Sequence, residues 1–224
     1  MKTLRRTILD IELNNSIRLM KGRVIDIGGR KVGKRGDFRP PLEQIRSWEY
    51  LNSDPSSEPD YCCAADSIPL ESGSVDTVII TEVLEYLHDP AAVLEEIFRV
   101  LFHEGICIAS VPLLVPVHGD FWDDRQRFTS LKLKEMFQNT GFTEIDIRPM
   151  GSLGSVLTDT LHVAFSYAGE GYNRLYRLLY ILNRLSRPFF IFIDYLTEPL
   201  CKYITTGYFI TAKKISRTSN NSSS

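Results

Sequence analysis

Acidic residues and paired glycines lie at the ends of predicted strands, where they could bind a nucleotide-like ligand. Residues 23–27 are typical of a short buried parallel strand; Asp26 interrupts its apolar run, and Gly28 and Gly29 follow directly. Glycines after a strand let backbone N–H groups approach a ligand closely. A tight turn between a strand and a helix would use the same residues without a ligand, so this pattern leaves both interpretations open.

Two further acids, Asp54 and Asp66, lie at or just after the ends of the next predicted strands, residues 48–51 and 60–64. In an open α/β sheet, ligands bind outside the carboxyl ends of the strands. Packing alone does not readily explain acids at successive strand ends. The three acids together therefore favour a binding site at this edge of the sheet.

Composition limits the class of protein. The 224 residues are 43% apolar and 24% charged, which is typical of a globular protein, and the net charge of −2 argues against a nucleic-acid binder. The four cysteines form no C-x-x-C pair, so we expect free thiols and no metal site. The sequence contains neither a secretory signal nor an apolar run long enough to span a membrane, which predicts a cytoplasmic protein.

The elements that must position these residues alternate between strands and helices. The pattern predicts helices over residues 3–20 and 42–48, one from Asp89 to Gly105 and one from Thr129 or Ser130 to Gly141, with further strands over 75–80, 106–111 and 144–148. This alternation predicts an α/β fold with a Rossmann-like doubly wound sheet.

Five blocks of residues, in their order and spacing, resemble the class I S-adenosylmethionine-dependent methyltransferases, in particular a type 11-like group often encoded with surface-polysaccharide biosynthesis genes. The blocks are residues 65–70, 74–79, 82–86, 89–90 and 96–101. The resemblance implies a mostly parallel sheet with an antiparallel final strand at 207–214, and S-adenosylmethionine as cofactor. We therefore expect one domain over residues 1–214, with a helical insertion at 151–206 and a disordered tail at 215–224.

The resemblance also implies roles for single residues. Asp26 with Gly28 and Gly29 corresponds to the first motif, beneath the methionine part of the cofactor. Asp54 corresponds to the acid that bonds the ribose hydroxyls, since two carboxylate oxygens can accept from a vicinal diol.

Three more residues complete the implied cofactor site. Asp66 corresponds to the acid beside the adenine amino group, and the backbone N–H of Ser67 to the partner of a ring nitrogen. Glu82 follows the family's fourth strand at the floor of the methyl-transfer site.

The chain departs from the family at Arg30, where a second glycine is usual, and at Tyr86, where a histidine is usual. Arg30 belongs to a basic loop, and whether that loop faces solvent or an anionic acceptor is open. These departures leave a second hypothesis, a non-catalytic methyltransferase-like protein that acts as a binding or scaffold module in a biosynthetic complex.

The loop over residues 112–129 leaves the sheet where the acceptor is expected. We predict that His118 is the base or acceptor-orienting residue and that Asp120 is its partner; the alternative is that both only hold the loop together. Arg127 either binds an anionic group of the substrate or forms a structural ion pair. The expected acceptor is a small molecule, a glycan or a lipid-linked compound, methylated at oxygen.

Residues 174–196 combine a leucine-rich helical face, arginines and an aromatic-aliphatic patch. A basic amphipathic segment of this kind is typical of peripheral contact with a membrane surface. Packing on the sheet edge or on a second subunit, as in a homodimer, is the alternative. The leucines are Leu175, Leu178, Leu179, Leu182 and Leu185, and the arginines are Arg174, Arg177, Arg184 and Arg187.

Overall fold

The computed structural model describes residues 2–33, 36–117, 124–169 and 174–215. Its strands are β1 (Arg23–Ile27), β2 (Ser47–Leu51), β3 (Val75–Thr81), β4 (Leu101–Pro112), β5 (Thr143–Met150) and β6 (Gly207–Lys213). Its α-helices are α1 (Leu4–Asn15), α2 (Pro90–Val100), α3 (Ser130–Thr140), α4 (Leu153–Gly169), α5 (Arg174–Leu185) and α6 (Arg187–Leu196).

All six strands form one sheet in the order β2-β1-β3-β4-β6-β5. The pairs among β1, β2, β3 and β4 are parallel, whereas β6 is antiparallel to both of its neighbours. The predicted Rossmann-like sheet with an antiparallel final strand is therefore confirmed. Pro112 of β4 and Met150 of β5 both pair with Gly207, so β5 ends at the same edge as the parallel strands.

The sheet is covered on both faces, as its apolar strands require. On one face, α2 and α3 bury residues such as Val93, Ile97 and Phe137 against the strands. Leu9 and Leu13 of α1 pack on the other face. The helix starts follow local capping rules: Asp89 accepts from the backbone N–H groups of Ala91 and Ala92 at α2.

Two predicted elements next to β2 are wrong. Residues 42–46 form turns after Pro40 and Pro41, not a helix, because the Arg46 N–H donates to Gly22 O (2.8 Å) and draws the segment toward the sheet. Residues 60–64 form no strand beyond one bridge between Leu51 and Tyr61. The Asp60 carboxylate accepts the Tyr50 N–H at 2.8 Å, so a side chain replaces a backbone ladder partner there.

The prediction that Gly105 ends a helix is also wrong. Helix α2 ends at Val100, and β4 begins at Leu101. The pairing of β4 with β3 shifts between Leu101 and Ile106, and Gly105 lies in this irregular stretch. A Cβ there would lie 2.8 Å from Phe102 O, so the stretch needs glycine for close backbone approach rather than for a helix end.

The segment between β5 and β6 contains α4, α5 and α6. Because β5 ends, and β6 begins, beside the last residue of β4, these helices leave and rejoin the sheet at the carboxyl edge of its parallel strands. Within the part of the chain that the structure describes, no helix has the length and apolar character needed to cross a bilayer.

Candidate functional site

A cleft of about 1000 Å³ opens at the carboxyl ends of β1, β2 and β3, with Ile27, Leu51 and Thr81 in its wall. Helix α1 and the loops after the three strands complete the lining. The predicted cofactor residues that line it are Asp26, Gly28, Gly29, Asp66 and Glu82. The sheet edge expected from the strand-end acids is therefore the edge that carries the cleft.

The turn after β1 needs its two glycines. Gly28 has φ 78°, donates its N–H to Leu51 O at 2.7 Å, and would place a Cβ 2.4 Å from the Val83 side chain. A Cβ on Gly29 would lie 2.4 Å from the Asp26 carboxyl carbon. Both positions therefore require glycine, because a Cβ would collide with neighbouring side chains; the turn thus has a bare backbone at the cleft, as nucleotide-binding turns do.

The residues after β2 are arranged differently from the prediction. Asn52 and Ser53 line the cleft, and the Asn52 amide donates to Gly29 O at 3.0 Å, which joins the two strand ends. Asp54 is outside the lining. One of its oxygens accepts the Ser56 N–H at 2.9 Å, and the other lies 3.2 Å from Arg30 Nη2. Hydrogen bonding from Ser56 lowers the pKa of Asp54.

The third predicted acid lies on a loop that α2 fixes in place. Asp66 is exposed at the cleft wall, whereas Ser67 is outside the lining, with its N–H 3.5 Å from Ala64 O. Glu96 accepts the Ile68 N–H at 2.9 Å, and Arg99 donates to Ile68 O at 2.9 Å. Glu96 and Arg99 of the motif block at 96–101 thus hold the loop that carries Asp66.

Glu82 lies at the floor of the cleft directly after β3, in a left-handed conformation with φ 58°. Its carboxylate accepts a hydrogen bond from Ser110 of β4 at 2.7 Å and forms an ion pair with Arg5 of α1. Burial lowers the pKa of Arg5 to about 10, which still leaves it charged at neutral pH. The sequence carried no signal for Arg5, because α1 has no position in the motif blocks.

A second acid, Glu85, is buried near Arg5. Its side chain is fully buried, and neither carboxylate oxygen hydrogen-bonds to any described residue. Burial raises the pKa of Glu85 to about 7, although the charges of Arg5 and Arg127 oppose the rise. Arg127 itself forms an ion pair with Asp124, which is the contact that the structural alternative for Arg127 predicts.

Helix α1 closes one side of the cleft and is fixed at two places. Its first N–H groups, on Leu4 and Arg5, donate to the Asp159 carboxylate of α4 at 2.8 and 2.9 Å. Asp10 accepts the Asp37 N–H at 2.8 Å and thereby joins α1 to the loop that follows the glycine turn. Thus α4 holds the helix that supplies Arg5 to the cleft floor.

The predicted catalytic pair, His118 and Asp120, lies outside the described residues. In the basic loop, Arg30 pairs with Asp54 and Lys31 with Asp60, so both side chains have protein carboxylates as partners. Among the described residues, no cluster of histidine, cysteine or acidic side chains could hold a metal ion.

Comparison with known proteins gives one family match. The model described as a methyltransferase domain matches residues 43–109, which contain β2, β3, α2 and the cleft loops after β2 and β3, whereas the glycine turn after β1 precedes the matched range. No curated protein matches the sequence.

Solved structures share the fold over nearly the whole chain. A SAM-dependent methyltransferase from Archaeoglobus fulgidus is 16% identical, with a TM-score of 0.55, and 93% of this chain aligns with 94% of that one. The [4+2]-cyclase SpnF is 17% identical, with a TM-score of 0.56, over 92% of this chain and 80% of that chain.

A third structure, phosphoethanolamine N-methyltransferase 2 of Haemonchus contortus in complex with S-adenosyl-L-methionine, is 15% identical, with a TM-score of 0.55. The match covers 93% of this chain but 52% of that one, so this chain spans about half of its length. These likenesses define the fold as that of Rossmann-like methyltransferases.

Proposed function

We propose that this protein is an S-adenosylmethionine-dependent methyltransferase that methylates an oxygen atom of a small-molecule, glycan or lipid-linked acceptor. The observation that carries the proposal is the glycine turn of Gly28 and Gly29 beside Asp26, in a cleft at the carboxyl edge of the sheet. The match of the methyltransferase-domain model to residues 43–109 supports it.

The residues of the cleft fit this cofactor. A cleft of about 1000 Å³ is large enough for a nucleoside ligand together with an acceptor. In the proposed arrangement, the turn at Gly28 and Gly29 cradles the methionine part and Asp66 accepts from the adenine amino group. Asn52 in the lining and Asp54, which lies just beyond it in the chain, bond the ribose hydroxyls. The carboxylates supply acceptor atoms for the hydroxyl and amino donors of such a ligand.

S-adenosylmethionine supplies a methyl group that is already activated by a positively charged sulfur. The protein therefore has to align the acceptor oxygen with the methyl carbon and exclude water, and alignment alone can supply several kcal/mol. In the proposal, the Arg5–Glu82 pair fixes the floor on which the two reactants meet. His118, oriented by Asp120, takes the proton that an acceptor hydroxyl loses.

A binding or scaffold protein without methyl transfer is the second candidate. One observation favours it: Arg30, where the related enzymes usually have glycine, pairs at 3.2 Å with Asp54, the carboxylate assigned to the ribose. That ion pair competes with a ribose diol for the same oxygens. The likeness to the [4+2]-cyclase SpnF agrees with this candidate, because it indicates that the fold is not confined to methyl transfer.

Calorimetric titration with S-adenosylmethionine and with S-adenosylhomocysteine tests cofactor binding. We expect saturable binding of both, and no heat at millimolar cofactor would contradict the proposal. Incubation with the cofactor labelled with carbon-13 in its methyl group then separates the two candidates. A new O-methyl resonance in extracted glycans or lipids supports the enzyme, whereas binding without any transferred label supports the scaffold.

A further inference from the structure

The outer face of α5, α6 and the turn after them exposes an unusual amount of apolar surface. Of the 22 large apolar side chains that are exposed in the described residues, 11 lie between residues 178 and 203. Leu185, Phe189 and Tyr195 are 69%, 60% and 78% exposed. A concentration of exposed large apolar side chains in one segment of a folded protein is typical of an interaction site.

These helices are joined to α4 by hydrogen bonds on their inner side. Asn183 of α5 donates its amide to Thr158 O of α4 at 3.0 Å, and Asn183 is itself buried. Asp194 of α6 accepts the N–H groups of Ser152 and Ser155 at 3.1 and 2.9 Å. The polar groups thus face α4, and the apolar side chains point away from it.

A close helix approach supports the same conclusion. A Cβ on Gly154 of α4 would lie 2.0 Å from Phe190 O, so glycine lets the backbones of α4 and α6 touch. The unit formed by α4, α5 and α6 therefore presents a fixed surface. We call the exposed apolar side of residues 178–203 the outer apolar face.

Basic residues outnumber acids in the sequence of this segment. Residues 174–203 contain five lysines and arginines but two acids; Asp194 and Arg187 are used internally, and Glu198 is an exposed acid. Arg184 and Lys202 are exposed, and Lys202 lies 4.9 Å from the ring centroid of Tyr203. Basic side chains beside exposed aromatic and aliphatic ones complement an anionic lipid surface. The apolar side chains would contact the acyl groups of the lipids, and the basic side chains would contact the anionic headgroups.

The helices that carry the face are attached to the sheet beside the cleft. The helices leave β5 at Met150 and rejoin the sheet at Gly207, at the edge where the parallel strands open into the cleft. The same unit holds α1 over the cleft through Asp159 and through a hydrogen bond from Arg187 to the Lys2 carbonyl. A surface bound by these helices would lie on the side of the molecule where an acceptor enters.

We propose that the outer apolar face docks the protein on an anionic membrane surface. The docking stands on the exposed side chains and their charges alone. Its consequence, that the acceptor is carried by or presented at a lipid surface, rests on the proposed methyltransferase function.

Vesicle flotation of the full chain tests the docking. We expect recovery with vesicles of phosphatidylcholine mixed with phosphatidylglycerol, and much less with phosphatidylcholine alone. The triple variant Leu185→Gln, Phe189→Gln, Phe192→Gln should lower the bound fraction at least about tenfold. Its matched control replaces equally exposed apolar residues elsewhere, Leu42 and Leu131, with glutamine and should float like the unaltered protein.

A charge variant tests the electrostatic part. Arg184→Gln with Lys202→Gln should lower partition onto the anionic vesicles about fivefold for each removed charge, and leave the neutral vesicles unaffected. Circular dichroism and the S-adenosylmethionine titration check that each variant is folded.

Two results would overturn the docking. One is recovery in the soluble fraction with both kinds of vesicle. The other is a dimer in light scattering that the triple variant converts to a monomer, without any flotation; a second copy of the chain would then cover the face. Neither result affects cofactor titration, so failure of the docking is distinguishable from failure of the proposed function.

Discussion

Arg5 of the first helix forms an ion pair with Glu82, the residue directly after β3, across the floor of the cleft. The pair is largely enclosed, with side-chain exposures of 11% and 15%. Ser110 donates to the other carboxylate oxygen of Glu82, so three elements converge on one acid. An arginine that precedes every motif block therefore helps to shape the site that those blocks define.

The Arg5–Glu82 pair should contribute to stability as a coupled unit. We expect Arg5→Gln and Glu82→Gln each to lower the free energy of unfolding by about 3 kcal/mol, because each leaves one enclosed charge without its partner. The double variant should reveal a coupling energy of about 1–3 kcal/mol in urea unfolding.

The exposed pair of Lys213 and Glu104, 3.1 Å apart, provides the control. Its coupling energy in the same cycle should be much smaller than that of the Arg5–Glu82 pair, because solvent screens an exposed pair. Equal coupling in the two pairs would contradict a special role for the cleft floor.

Substitution Gly28→Ala should weaken cofactor binding. The left-handed backbone costs alanine about 1–2 kcal/mol, and the new methyl group would collide with Val83 in the cleft wall. We expect at least about a tenfold loss of S-adenosylmethionine affinity by calorimetry. Gly73→Ala is the matched control, since Gly73 has a similar φ of 67° but open space around it and lies outside the cleft lining. Unchanged affinity in Gly28→Ala would refute the assignment of the turn.

The ion pair between Arg30 and Asp54 predicts opposite effects for its two members. Asp54→Ala should weaken S-adenosylmethionine binding, whereas Arg30→Gln should strengthen it modestly, by less than about fivefold, because a weak exposed ion pair no longer competes for the carboxylate. Titration of both variants measures the effect. If both substitutions weaken binding equally, Arg30 is itself part of the ligand site.

Substitution His118→Ala should separate catalysis from cofactor binding. We expect a lower turnover of methyl transfer with nearly unchanged S-adenosylmethionine affinity, because the predicted role of His118 concerns the acceptor proton. An unaltered turnover would contradict the role as base and would favour the alternative that His118 only holds its loop together.

The buried Glu85 carboxyl should give stability a distinctive pH dependence. Its pKa in the folded chain, about 7, exceeds its ordinary value of 4.5, so the folded state binds the proton more tightly than the unfolded state. The free energy of unfolding should therefore fall by about 1–3 kcal/mol as the pH rises from about 4.5 through 7. Glu85→Gln should lose this dependence in urea unfolding.

The control for Glu85 is Glu95→Gln, which replaces an exposed glutamate of α2. The free energy of unfolding of this variant should fall with rising pH as it does in the unaltered protein. A Glu85→Gln protein with the same pH profile as Glu95→Gln would show that another group titrates.

The sequence predicted those elements that depend on neighbouring residues. The apolar run of β1, the Asp89 cap with Pro90 at α2, and Gly141 with φ 107° after α3 are all local signals, and the structure has each of them. The prediction of a strand at 60–64 was wrong because the Asp60 side chain accepts the hydrogen bond from the Tyr50 N–H, which would otherwise pair with a neighbouring strand.

Within the site, prediction succeeded for residues that belong to the strand-end pattern. Asp26, Gly28, Gly29, Asp66 and Glu82 line the cleft as expected. Arg5 and Asn52 were missed because their roles depend on tertiary contacts, with Glu82 and with the Gly29 carbonyl. The Arg30 substitution was visible in the sequence, but its partner Asp54 lies 24 residues away and was found only in the structure.

The anchoring of α1 to Asp159 has a consequence for the order of folding. The hydrogen bond from the Leu4 N–H to Asp159 joins residues that are 155 positions apart, and the bond from Arg187 to Lys2 spans 185 positions. Contacts of such long range form late, because closing the intervening chain costs entropy before they can form. Helix α1 therefore reaches its final position only after α4 and the start of α6 have folded, and a complete cleft requires that segments 185 positions apart have come together.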